Sequence, residues 1–241
     1  MSDNFISLDV DLIKDFLDTD PLDSNIEISI SQSTGSTNDD AKNHLLEQSS
    51  LLSIHTSEQQ IAGRGRNGKK WISPKGKNIY LSIGWLSNLK YFQLDGLSLA
   101  VGTILASSLN KLTQNQIGIK WPNDLLIKNK KISGILIETI DLNNQVGVVI
   151  GIGINVHMSK EEGKEIDQSW IAIDAVTDSI NDRNEIIGDI LNKIFITRPL
   201  PPEVLKKAQT LGEVTVRSLT SPLTTVEMTE ALQNFDIILP T

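Results

Sequence analysis

The chain contains no cysteine. That excludes a disulfide framework, a thiolate nucleophile and any cysteine-ligated metal site. Histidine is scarce: His44, His55 and His157 are the only three, and their spacing matches no metal-binding pattern, which argues against a metallohydrolase. Long apolar runs are also missing. The longest, VGVVIGIGINV at 146–156, falls well short of the roughly 20 residues that cross a bilayer, so no membrane association is expected. The first twenty residues, MSDNFISLDVDLIKDFLDTD, lack the basic and apolar regions of a secretory signal, and a cytoplasmic location is expected. Basic charge is in deficit, with 22 Lys and Arg against 30 Asp and Glu, for a net charge of −8. Broad phosphate binding needs spread basic surface, so a protein that coats nucleic acid is disfavoured. What remains, at 241 residues and 39% hydrophobic composition, is a globular chain large enough for a main domain with a small appendage.

Hydrophobic periodicity orders the chain. IEISIS (26–31) alternates at period two and reads as a half-buried strand. TGSTNDDAKNHLLEQ reads as a helix whose start carries Ser36, Thr37 and Asn38, residue types suited to an N-cap. LLSIHTS and NIYLSIGW read as further strands, and LDGLSLAVGTILASSLNKL places Leu97, Val101, Ile104, Leu105 and Leu109 on one helical face. IGIKW, LLIK, ISGILIETI and QVGVVIGIGINV follow as strands broken by the hairpin signals NKK and DLNN, and DRNEIIGDILNKIF is helical. Short hairpins imply an α+β fold with a mixed, largely antiparallel sheet flanked by helices. Composition shifts at RPLPP, which suggests a main domain over 1–197 and a small C-terminal piece over 198–241.

One stretch runs against the acidic balance. Between Gly63 and Lys77 lie four glycines and six basic residues with no acid. GRGRNGKK approximates a phosphate loop, but Lys70 stands where the magnesium-binding hydroxyl should be, and Pro74 follows where a helix should begin. GIGINV (151–156) offers Gly151 and Gly153 without a third glycine and sits late in a strand, so a dinucleotide fingerprint is not supported either. What survives is a flexible loop that presents Arg64 and Arg66 to a local anion. A plain solvated surface loop is the alternative. A second segment, IKWPNDLLIKNKKISGILIE, puts Lys120 at the end of a strand, where a charge carried inward needs a ligand anion or Asp124 as partner.

Together these segments resemble the catalytic domain of biotin protein ligases. The resemblance rests on STN (36–38), EQQIAGRGRNGKKWISPKG (58–76), KWPNDLLI (120–127), KISGILIE (131–138) and GIGINV (151–156), in family order, over roughly 25–195. It implies a sheet like that of class II aminoacyl-tRNA synthetases, followed by a small SH3-like barrel. The implied activity is a two-step ligation: biotin and ATP, with Mg2+, form biotinyl-5′-AMP, which acylates a lysine of a biotin carboxyl carrier protein such as that of acetyl-CoA carboxylase.

On the same resemblance Lys120 and Arg66 are the catalytic cations. Ser36, Thr37, Asn38, Gln60, Arg64, Gly65, Arg66 and Lys120 line the biotin site. Arg66, Trp71, Asn123, Lys131, Gly153 and Asn155 face the nucleotide, with Asp124 as a magnesium ligand. The chain departs from the family in three ways. Lys69 replaces an arginine, no winged-helix segment precedes residue 25, and residues from 198 on are shorter than the family barrel. Sequence-specific DNA binding is therefore not expected, and the oligomeric state is open between monomer and homodimer. A lipoate or octanoate ligase of the same fold and a non-enzymatic nucleic-acid-binding module stand as alternatives.

Overall fold

The computed structural model describes residues 6–17, 26–47, 52–87, 91–94, 96–142, 145–177 and 181–197. The proposed C-terminal piece, 198–241, lies outside them. Seven strands form one sheet in the order β1-β2-β3-β7-β6-β5-β4: β1 Ile26–Ser31, β2 Leu52–Ser57, β3 Ile79–Ser87, β4 Gly118–Lys120, β5 Asp124–Ile127, β6 Lys130–Leu142 and β7 Gln145–Ile154. Only the β1–β2 pair is parallel, because the chain between them crosses over through helix α2, Thr37–Leu46. Every other pair is antiparallel. Lys128 and Asn129 turn β5 into β6 with positive φ of 48° and 62°, as the NKK signal implies.

The two faces of the sheet are built from different residues. On one, Ile79, Leu81 and Ile83 of β3 join Val148, Ile150, Ile152 and Ile154 of β7 to make the main core. Helices α3 (Leu97–Thr113) and α4 (Arg183–Thr197) pack there, and all five residues assigned to the apolar face of α3 are buried. A short N-terminal helix, α1 (Val10–Asp15), docks on α4; its acidic, sparsely periodic sequence carried no earlier signal. The alternate positions of the same strands carry Ser82, Gly84 and Gly151, over which α2 lies, and Gly153. Small residues at period two therefore leave space above the sheet instead of filling it.

Beside this, Arg183 and Glu58 form a buried ion pair at 2.7 Å, with side chains 1% and 4% exposed. Glu58 also accepts from the Leu8 N–H at 2.7 Å, and Arg183 donates to the Ile6 carbonyl at 3.1 Å. Such a pair holds segments together, and removing one member would cost about 3 to 5 kcal/mol. It ties the N-terminal segment, the end of β2 and the start of α4 together, which fixes the base from which the glycine-rich stretch emerges.

Candidate active site

The glycine-rich stretch closes on itself. Arg64 and Lys70 pair as an antiparallel bridge, Gly65 N–H donates to Lys69 O at 2.7 Å, and Trp71 N–H donates to Gly63 O at 2.9 Å. Asn67 and Gly68 turn the tip with φ of 57° and 72°, a left-handed conformation that suits Gly and Asn. The tip from Arg66 to Lys70 is exposed. The base is not. A Cβ on Gly63 would come within 2.7 Å of Ser73 Oγ and 2.9 Å of Gln60 Nε2.

Under this loop lies a cavity of about 480 Å³. One end is neutral and polar. Gln60 Oε1 accepts from the Thr37 N–H at 2.9 Å and from its hydroxyl at 3.2 Å, while Gln60 Nε2 donates to Ser73 Oγ at 3.3 Å. Ser82 Oγ lies 2.8 Å from Thr37 Oγ1 and donates to Asn38 Oδ1 at 2.6 Å. Ser36 occupies the N-cap position of α2, yet its side chain makes no capping bond. Gln60 satisfies the first helical N–H in its place, so helix start and cavity wall are one construction. Asn38 fits because Gly151 has no side chain; a Cβ there would collide with its amide.

The floor answers the question of the GIGINV glycines. Gly153 pairs with Gly134 across β7 and β6, and the Trp71 indole lies over both. A Cβ on Gly153 would approach the ring to 2.5 Å, and one on Gly134 to 3.1 Å. The glycines make a bed for an aromatic ring, not a phosphate turn. Trp71 Nε1 is buried and has no partner among the described residues.

Charge collects at the other end. Lys120 sits on the three-residue edge strand β4, exposed and away from the cavity lining. β4 pairs only with β5, at the edge of the sheet. Lys131 of β6 lines the cavity, as do Lys69 and Lys70 of the loop. Its Nζ lies 2.7 Å from Asp124 Oδ1 and 5.3 Å from the centre of the Trp71 ring, with the side chain 14% exposed. Asp124 is thus engaged by Lys131, and among the described residues no group of three His, Asp or Glu gathers to hold a metal.

Two further expected site residues are held by groups of the protein. Asn155 does not line the cavity: its amide donates to the carbonyls of Lys131 at 3.3 Å and Ile171 at 3.2 Å, so it anchors the backbone of Lys131. Arg64 borders the cavity, but its guanidinium is engaged by protein carboxylates, forking onto both oxygens of Asp39 at 2.6 Å and reaching Glu138 at 2.9 Å. Lys42 and Asn38 donate to the same Glu138 at 2.6 and 2.7 Å. The hydrogen-bonded fork from Arg64 holds the Asp39 carboxyl below its usual range, and Asp39 in turn raises Arg64. Burial pushes Glu138 up, but hydrogen bonds from Lys42 and Asn38 and the charges of Lys42 and Arg64 outweigh it, leaving its pKa lowered. Arg66, Gly65 and Asn123 line the cavity, and Asn123 is held by a 2.8 Å bond to the Ile135 carbonyl.

A wall that the sequence did not reveal completes the cavity. Glu165, Ile166, Asp167 and Gln168 border it, carried by an aperiodic segment whose Ser169 carbonyl accepts from Lys131 N–H at 2.9 Å. Lys70 of the loop reaches Glu165 at 3.1 Å.

Residues 30–155 match the model of the biotin/lipoate A/B protein ligase family. The chain belongs to that family. Within it, the chain is 31% identical over 173 residues to a biotin–[acetyl-CoA-carboxylase] ligase of Mycobacterium tuberculosis, covering 70% of this chain and 62% of that protein. It is 40% identical over 139 residues to the bifunctional ligase/repressor BirA of Salmonella typhimurium, covering 57% of this chain and 43% of that one. The chain thus spans roughly half the length of these relatives. Among solved structures, the biotin protein ligase of Aquifex aeolicus in complex with biotin and ATP superposes with a TM-score of 0.57 at 29% identity, over 76% of this chain and 72% of that one. The biotin protein ligase of Leishmania major in complex with biotinyl-5-AMP shares the fold, with a TM-score of 0.61 at 21% identity over 84% and 88%. Among the described residues no helix is long and apolar enough to cross a membrane.

Proposed function

We propose that the protein is an ATP-dependent biotin protein ligase, which activates biotin as biotinyl-5′-AMP and passes the acyl group to a lysine of a biotin carboxyl carrier domain. The observation that carries the reading is the polarity of the cavity. Neutral donors and acceptors from Thr37 and Gln60 close one end, while Lys131 and Arg66 stand at the other under a closing loop. A urea head needs paired neutral partners, since an unpaired polar group there costs about 1 to 3 kcal/mol. The reacting end needs cations. A carboxylate oxygen must approach an α-phosphate, and two such charges at 4 Å repel by about 4 kcal/mol at an effective dielectric of 20.

Lys131, in place of Lys120, is the group we assign to that position. In step one the biotin carboxylate attacks the α-phosphorus and pyrophosphate leaves; Lys131 and Arg66 offset the charge that builds on the phosphoryl oxygens. In step two a neutral acceptor amine attacks the acyl carbon and AMP leaves with the C–O electron pair. Trp71 on its glycine bed and Asn123 are assigned to the adenine side. Magnesium enters with ATP as part of the substrate. The loop tip, with Arg66, Lys69 and Lys70, covers the anhydride and excludes water that would hydrolyse it.

The family description also covers lipoate ligation, which keeps one competing substrate in view. The polar end of the cavity favours a ureido bicycle over a dithiolane, which has no N–H to pair with Gln60. The test is exchange of labelled pyrophosphate into ATP with biotin, lipoate or octanoate as the acid. Biotin alone should support it; exchange with lipoate and none with biotin would assign the other ligation.

A further inference from the structure

The charged cluster at the base of the loop has no role in the chemistry above, yet every member is partnered. Arg64 is the second residue of the glycine-rich loop, Asp39 and Lys42 belong to α2, and Glu138 to β6. Asp39 receives both arms of the guanidinium at 2.6 Å, a bidentate geometry that fixes orientation as well as distance. Glu138 receives three donors from three places: Arg64 at 2.9 Å, Lys42 at 2.6 Å and the Asn38 amide at 2.7 Å. With its Nδ2 on Glu138 and its Oδ1 accepting from Ser82, the Asn38 amide can take only one of its two flips.

We propose that Asp39 and Glu138 are positioning residues that couple the loop to the polar end of the cavity. Asp39 anchors the loop by fixing Arg64. Glu138 shares that anchor and also sets Asn38, next to Thr37, so the loop base and the head pocket move as one unit. The loop then rises from a fixed stem: its tip from Arg66 to Lys70 is exposed, above a base clamped to α2 and β6. This rests on the ligase reading for its consequence, retention of the acyl-adenylate, but not for the coupling itself.

Three variants separate the parts. Asp39→Asn keeps the shape and removes the charge that holds the fork; Asp39→Glu keeps the charge; Glu138→Gln loosens both Arg64 and Asn38. Ile187→Val, in the core at the far side of the sheet, serves as a mildly destabilised control. Hydrogen exchange at the Gly65 and Trp71 amides, both bonded within the loop, reports the stem without any substrate. In Asp39→Asn these amides should exchange about tenfold faster or more, the factor that follows from losing a hydrogen bond to a charged group. Biotin affinity before ATP should change less than about twofold in that variant, and Asp39→Glu should restore the exchange rate. Glu138→Gln should speed the same amides and also weaken biotin binding, and both variants should release free biotinyl-AMP faster than wild type. Unchanged loop amides in both variants would overturn the proposal, as would a rise spread over the whole chain to the extent seen in Ile187→Val. If wild type shows no biotin binding, the ligase reading fails while the amide exchange still decides the coupling.

Discussion

Replacing Lys131 with alanine tests the reassignment of the reactive cation. Its Nζ sits 2.7 Å from Asp124 and its side chain is 14% exposed, so the charge acts in a partly desolvated site and not in bulk water. A unit charge about 4 Å from a phosphoryl oxygen is worth about 4 kcal/mol at an effective dielectric of 20. Loss of one well-placed transition-state donor costs about 2.7 to 4 kcal/mol, or 10² to 10³ in rate. The two figures agree, and Lys131→Ala should lower biotin-dependent pyrophosphate exchange by about that factor. The variant also leaves Asp124, 16% exposed, without its cation beside the incoming phosphates, which adds repulsion in the same direction. Pairing it with Asp124→Asn should therefore recover a few-fold of the loss, about 1 kcal/mol. Lys120→Ala, an exposed change on β4, should alter exchange less than about twofold. The reverse ranking, with Lys120→Ala inactive and Lys131→Ala near wild type while both stay folded, would refute the assignment.

Gln60→Ala should weaken biotin binding measured without ATP by about tenfold, because it removes the acceptor shared by the Thr37 N–H and hydroxyl; an unchanged dissociation constant would place the head elsewhere. Gly153→Ala should raise the KM for ATP far more than that for biotin and change tryptophan fluorescence, since the new Cβ meets the Trp71 ring at 2.5 Å and lifts it from its bed. The Asp39–Arg64–Glu138 cluster also carries a pH signature. Both carboxyls have lowered pKa values in the fold, so their contribution is complete above the unfolded carboxylate pKa and disappears as pH falls through the folded values. The difference in melting temperature between wild type and Arg64→Gln should therefore be constant from neutrality to about pH 5 and shrink below about pH 4. A difference that stays constant down to pH 3 would show that the cluster does not hold the loop by charge.

How much of this could be read from sequence depends on the distance over which each signal acts. Period-two alternation in NIYLSIGW and QVGVVIGIGINV and the apolar face of Leu97 to Leu109 are local, and each produced the element expected. The glycines of GIGINV and KISGILIE were visible, but not their purpose, because the ring they accommodate arrives from Trp71, 63 residues before Gly134. Lys120 and Lys131 both flank conspicuous motifs. Lys120 lies on the edge strand β4 and Lys131 on the interior strand β6, and strand order is a property of the whole sheet. Glu138 and Asp39 drew no attention because a lone carboxylate on a strand or in the first turn of a helix reads as solvated surface. Only pairing across 100 residues, as between Asn38 and Glu138, gives them meaning. The wall at Glu165 to Gln168 has no periodicity at all and is fixed by backbone bonds to Lys131.

The most direct measurement is pyrophosphate–ATP exchange by the purified chain with biotin as the sole acid, followed by addition of a carrier domain and mass analysis of its target lysine. The expected result is exchange that requires biotin, is absent with lipoate or octanoate, and is followed by a single biotinylated lysine on the carrier. Exchange driven by another acid, or none with any acid while the folded protein binds biotin, would contradict the assignment of the cavity to biotin adenylation.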